Sequence, residues 1–122
     1  TVWYAFSASN VTTGCMQFIP GTHNQGQLDH EEMGGENNLL MRGQTIHGID
    51  EDNAVNVELQ PGEFSIHHEA VVHGSGANIS DGPRWSLAVH LRNEKSDPVP
   101  GDDSYYTAHL DDPQICPVMY EA

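Results

Sequence analysis

Basic residues are scarce in this sequence. Four lysines and arginines stand against eighteen aspartates and glutamates, a formal net charge of −14. Contacts to nucleic-acid phosphates need many cations, so a nucleic-acid partner is excluded. Docking on an anionic membrane is disfavoured for the same reason. Long apolar runs are lacking too: none approaches the roughly 20 residues that cross a bilayer, and no basic-then-apolar leader opens the chain. These features predict a cytoplasmic protein. Cysteine is limited to Cys15 and Cys116, which fit neither a zinc spacing nor a disulfide-dense scaffold. Cys15, within Cys-Met-Gln-Phe-Ile, reads as a small buried hydrophobe. The 122 residues suffice for one modest core, so residues 1–122 are expected to form a single domain ending in an acidic, proline-containing segment, 93–122.

What is present is strand signal. Residues 2–7 are aromatic and β-rich, and residues 15–19 form a second apolar run before Pro20-Gly21 breaks it. Residues 22–53 are polar and rich in glycine and asparagine, with Leu39, Leu40 and Met41 as their apolar cluster. Such a length predicts a long loop holding one short element. Residues 54–60 alternate, Pro61-Gly62 marks a turn, and 63–68 resume as a strand. A further short strand is expected over 70–73, ended by Gly74-Ser75-Gly76. Residues 84–92 alternate again, with Trp85, Leu87, Val89 and Leu91 on one face and Arg84, Ser86, Ala88, His90 and Arg92 on the other. No long helix is expected. Short strands between Gly/Pro turns argue for an antiparallel sandwich or jelly roll. An inward face of Arg, Ser and His suits a barrel whose interior holds a ligand.

Two residues carry the chemistry. His73, followed by small residues that let a ligand approach, offers a neutral imidazole of the kind that binds Fe(II). Eleven residues later Arg84 opens an alternating strand, with Ser86 two positions on and on the same face. A guanidinium fork matches a carboxylate bidentately, so Arg84 and Ser86 suit the anchor of an acidic co-substrate. Fe(II) oxygenases take two histidines and a carboxylate on one side of the metal. The chain has one His-x-Asp, His109-Leu110-Asp111, but it follows His73 and Arg84 instead of preceding them. Asp29-His30 and His47-Gly-Ile-Asp50 have the wrong spacing.

The ordered segments Val2-Trp3-Tyr4-Ala5, Gly14-Cys15-Met16-Gln17-Phe18-Ile19-Pro20-Gly21-Thr22-His23, Gln60-Pro61-Gly62-Glu63 and His73-Gly74-Ser75-Gly76-Ala77-Asn78-Ile79-Ser80, then Arg84, resemble the phytanoyl-CoA dioxygenase family. They cover roughly residues 2 to 92. The resemblance implies a cupin-like jelly roll, the double-stranded β-helix, incomplete at its N-terminus. It implies an Fe(II)- and 2-oxoglutarate-dependent dioxygenase that hydroxylates a small organic substrate in its intact form. By it, His73 is the distal iron ligand, Arg84 holds the far carboxylate of 2-oxoglutarate, and Ser75 and Trp3 line the co-substrate pocket. The family's first two ligands lie upstream of the segment that Trp3 begins, so the chain reads as an N-terminally truncated member.

The plainer readings stand beside these. Trp3 is a core aromatic as readily as a pocket wall, and Ser86 could merely cap an inward polar face. His67 and His68 alternate in facing, so at most one points inward; His68 is the candidate to support the metal ligand. Arg42 is a candidate for a substrate carboxylate, or else a solvated charge. The competing function is a non-catalytic jelly-roll remnant or ligand-binding domain. A jelly roll without its first strands would expose sheet edges and invite homo-oligomers.

Overall fold

The computed structural model describes residues 1–33, 43–93, 95–97, 101 and 105–120. It consists mostly of short antiparallel strands and divides into two compact units, residues 1–91 and 92–122. The first contains β1 (Val2–Ala5), β2 (Met16–Phe18), β3 (Glu31–Met33), β4 (Gly43–Thr45), β5 (Val55–Val57), β6 (Phe64–Ile66), β7 (His73–Ser75) and β8 (Ser86–Val89). Two short 3-10 turns, Thr22–Gln25 and Glu51–Asn53, interrupt it. The 22–53 stretch therefore holds several short elements, not one: the two 3-10 turns and the paired β3 and β4. Leu39, Leu40, Met41 and Arg42 lie outside the described residues.

Two three-stranded sheets have the orders β6-β1-β8 and β5-β2-β7. The β-rich Val-Trp-Tyr-Ala of β1 sits at the centre of the first and Met-Gln-Phe of β2 at the centre of the second. In the first sheet Trp3 pairs with Ser65 and Ala88, and Ala5 pairs with Ser86. Directly paired residues share a face. Trp3, Ala5, Ser65, Ser86 and Ala88 therefore look inward, while Tyr4, Phe64, Ile66, Leu87 and Val89 look outward. In the second sheet Met16 pairs with Val57 and Ser75, and Phe18 with Val55 and His73.

The core lies between these faces. Trp3 (7% exposed) and Ala5 from the first sheet meet Met16 and the buried Leu59, with Phe18 and Val57 packed beside them. Leu59 is tied to Ser9 by reciprocal backbone bonds of 2.8 Å. Burial of each large side chain contributes about 1.5–3 kcal/mol. Cys15, 2% exposed, joins this interior as its sequence context suggested. The outward face of the first sheet stays bare: Ile66 is 72% exposed, and Phe64 and Leu87 are exposed beside it. The sheet thus leaves an apolar outer face open, while its inner face mixes Trp3, Ala5 and Ala88 with Ser65 and Ser86.

One strand departs from the sequence reading. β7 runs from His73 to Ser75, whereas the apolar Ala70-Val71-Val72 suggested a strand over 70–73. Residues 68–71 are spent on a turn. The Val71 N–H donates to the His68 carbonyl (3.2 Å), and the Ala70 N–H donates to Nδ1 of the His68 ring. His73 begins its strand and does not end it.

The 92–122 unit is held by local bonds. Arg92 donates to the carbonyls of Ser96 (3.2 Å) and Leu110 (3.4 Å) and lies 3.9 Å from the Asp111 carboxylate. Its helix α1 is a single turn, Tyr105–Ala108. No described helix is long and apolar enough to cross a membrane.

Candidate functional site

Three loops fix the positions of the candidate residues. After β2, Gly21 adopts φ 84°, and Thr22, 5% exposed, folds back. Its hydroxyl donates to the Ile19 carbonyl (2.7 Å) and accepts from the Val72 N–H (2.8 Å). The residue before His73 is thus clasped from across the sheet. At the other end of β7, Gly14 lies against the chain at Gly76 and Ala77; a Cβ there would sit 2.5 Å from the Gly76 carbonyl oxygen. Gly14 also has φ 70°, so glycine is required twice over. Arg84 is placed by its neighbour: the Trp85 N–H donates to the Ser7 hydroxyl (2.8 Å), and the Phe6 N–H to the Trp85 carbonyl (3.0 Å).

These supports bring the candidates together. The Arg84 guanidinium lies over the Trp3 ring, 5.4 Å from its centre, and donates to the Ser75 hydroxyl at 3.3 Å. Ser75 is two residues beyond His73, so alternation puts both on the inner face of β7. Trp3, Ser75, His73 and Arg84 therefore border one space between the sheets. Ser86 looks inward beside Ala5 with no described bond to Arg84. Trp3 is a core ring and also the floor beneath Arg84. The site is open: His73 and Ser75 are exposed and Arg84 is half-buried.

The residue beside the candidate ligand is His67, not His68. The His67 and His73 rings have centres 5.2 Å apart, and Phe18 packs on both, at 4.7 and 6.0 Å. His68 instead contacts His23, at 5.7 Å. Parity in β6 decides this, because Trp3 pairs with Ser65 and turns residues 65 and 67 inward. Burial lowers the His67 pKa, and the neighbouring His73, the terminal ammonium and His90 lower it further. Burial raises the Cys15 pKa, with Glu58 adding and Arg84 opposing.

Two buried atoms at the space are orphans. Neither Ser65 Oγ nor His67 Nδ1 has a hydrogen-bond partner. Leaving such an atom unpaired costs about 1–3 kcal/mol, so a polar occupant is favoured. Next to them, Phe18, Pro20, His23, Ile66, His67 and His68 line an open hollow of about 320 Å³. A larger one, about 470 Å³, lies around Thr22, Gly48 and Asp50, away from the candidate residues.

The donor set fits part of a metal centre. The His73 Nδ1–H donates to the Val71 carbonyl at 2.8 Å, which fixes the ring and leaves the Nε2 lone pair for a metal. Among the described residues no group of three or more His, Cys, Asp or Glu could hold an ion. Asp111 of the His-x-Asp pairs with Arg92 inside the second unit. No described carboxylate forms an ion pair with Arg84.

Paired antiparallel sheets thus hold an imidazole and a half-buried guanidinium that no described carboxylate pairs with. The chain belongs to the phytanoyl-CoA dioxygenase (PhyH) family, whose model matches residues 1–86. It is 33% identical over 96 residues to a probable phytanoyl-CoA dioxygenase of Caenorhabditis elegans, covering 75% of this chain and 30% of that protein. Identity is also 33% over 93 residues with the peroxisomal phytanoyl-CoA dioxygenase of Bos taurus, 73% of this chain and 27% of that one. Among solved structures, EvdO2 of Micromonospora carbonacea var. aurantiaca superposes with a TM-score of 0.62 at 28% identity, over 70% of this chain and 34% of that one. ThoJ, described as a non-heme monooxygenase, gives 0.57 at 35% identity, over 70% and 29%. The chain thus spans about a third or less of the length of these four proteins.

Proposed function

We propose that the chain forms the co-substrate-binding part of an Fe(II)- and 2-oxoglutarate-dependent dioxygenase, a jelly-roll enzyme that in its whole form hydroxylates a small organic substrate. The observation that carries this is the state of Arg84. In a chain of eighteen acids it is the one cationic side chain described within residues 1–91, and it faces an aromatic ring and a hydroxyl, with no described carboxylate. A half-buried guanidinium left without a counter-ion is poised for a ligand carboxylate.

In this reading Arg84 grips the far carboxylate of 2-oxoglutarate, Ser75 orients the fork, and Trp3 supports it from below. Ser86 lines the inward wall. His73 offers Nε2 to iron, which when bound supplies the oxidation that couples loss of CO₂ from 2-oxoglutarate to substrate hydroxylation. The protein's share is to position the co-substrate and keep its carboxylate paired.

Titration of 2-oxoglutarate into a Trp85→Phe background, which leaves Trp3 as the sole tryptophan, followed by its emission, tests this. Saturable quenching is expected, at least tenfold weaker in Arg84→Lys, which keeps the charge but loses the fork. Equal affinity in wild type and Arg84→Ala would sink the reading. The single imidazole among the candidate ligands, His73, favours a second reading: a ligand-binding domain that holds the dicarboxylate without metal. Binding of 2-oxoglutarate that is indifferent to added Fe(II) would select it.

A further inference from the structure

We propose that His67 joins His73 in holding a divalent metal, so that the chain carries a two-imidazole site of its own. The proposal rests on His73 being a metal ligand, and extends it to a residue that neither the sequence pattern nor the family resemblance supplies. Three observations carry it.

The first is distance. A metal–nitrogen bond of about 2.1 Å, with about 1.2 Å more to the ring centre, puts two imidazoles on one tetrahedral ion about 5 Å apart. The two ring centres are 5.2 Å apart, with planes inclined at 50°. The second is the orphaned Nδ1 of His67, buried and without a partner, while the Nδ1 of His73 is already committed to Val71. One nitrogen of each ring is therefore available: Nδ1 of His67 and Nε2 of His73. The third is support. Phe18 packs on both rings, and the His67 backbone is tied to the strand of Trp3 through its N–H to the Thr1 carbonyl, 3.0 Å. Both rings are thus placed before any ion arrives.

Two nitrogens leave the remaining positions to water or to a chelating co-substrate, so the site takes a borderline cation such as Zn(II), Co(II) or Fe(II). The other close histidine pair, His23 and His68, is a built-in comparison: its rings are 5.7 Å apart and both residues are exposed, and the Nδ1 of His68 accepts from Ala70.

The test is Co(II) titration of the untagged chain, read by visible absorption and by paramagnetic broadening of the histidine ring protons. One saturable site is expected, with the His67 and His73 signals broadening together. His67→Phe, which keeps a ring against Phe18, should bind at least tenfold more weakly, and His68→Ala as wild type. Wild-type affinity in His67→Phe with loss in His73→Ala would overturn the proposal and leave His73 as a ligand. Loss in His68→Ala, with His67→Phe unaffected, would overturn it in favour of the other pair. No saturable site in the wild type would overturn both this proposal and the reading of His73. Co(II) also shifts the exchangeable ring N–H of each bound imidazole far downfield by contact, so two such signals are expected and a single one would overturn the proposal. This needs no variant, and a misfolded His67→Phe does not shield it.

Discussion

At the scale of residues, the two cysteines give the plainest expectation. Cys15 is buried and its thiol pKa is raised, chiefly by burial, whereas Cys116 is half-buried. A thiolate is the reactive form, so a disulfide reagent at pH 8 should label Cys116 and spare Cys15 until the chain unfolds. Equal rates would contradict the burial. The same shift has a pH consequence. The folded state holds the Cys15 proton more tightly than the unfolded chain, whose value is near 9.0. Its contribution is fully present below pH 9.0 and is lost as pH rises through the folded value. Urea midpoints should therefore fall above pH 9, and fall less in Cys15→Ala. His67 marks the limit of reading single residues. In His67-His68 either ring could face inward, and only the pairing of Ser65 with Trp3 chooses. Arg84 and His73 were legible because small neighbours and alternation announced them. Their meeting through Ser75 was legible only as a resemblance.

At the scale of elements, the ends of β7 decide whether the site stands. Gly14→Ala should destabilise by about 2–4 kcal/mol, since it combines a left-handed backbone with a collision against backbone. The check is urea unfolding, and a loss below about 1 kcal/mol would show that the loop gives way. Thr22→Val removes the clasp on Val72 and leaves its half-buried N–H without a partner, an expected loss of about 1–3 kcal/mol. Thr22→Ser should retain most of it. Strands β1, β2, β5, β6 and β8 were readable from alternation and turn residues. β7 was not, because Ala70-Val71-Val72 has strand composition but is followed by the residues that pair with β2. Which strands pair is also absent from the pattern. The β6-β1-β8 order joins segments some sixty and eighty residues apart, and period alone says nothing of that.

At the scale of the molecule, fourteen uncompensated negative charges oppose compaction. Raising KCl from 0.05 to 0.5 M should raise the Tm by several degrees as screening shortens to a few ångströms; a falling Tm would mean that specific pairs such as Glu31–His47 outweigh the general repulsion. The central place of β1 has its own result. Among the described strands it is bonded on both sides, to β6 and β8, while β7 is bonded on one side, to β2. Amide hydrogen exchange should accordingly be slow under the ring that carries the guanidinium and fast along the strand that carries the imidazole at 73. The ring beneath Arg84 is then anchored in the most durable part of its sheet, and the strand of His73 is free to breathe about it.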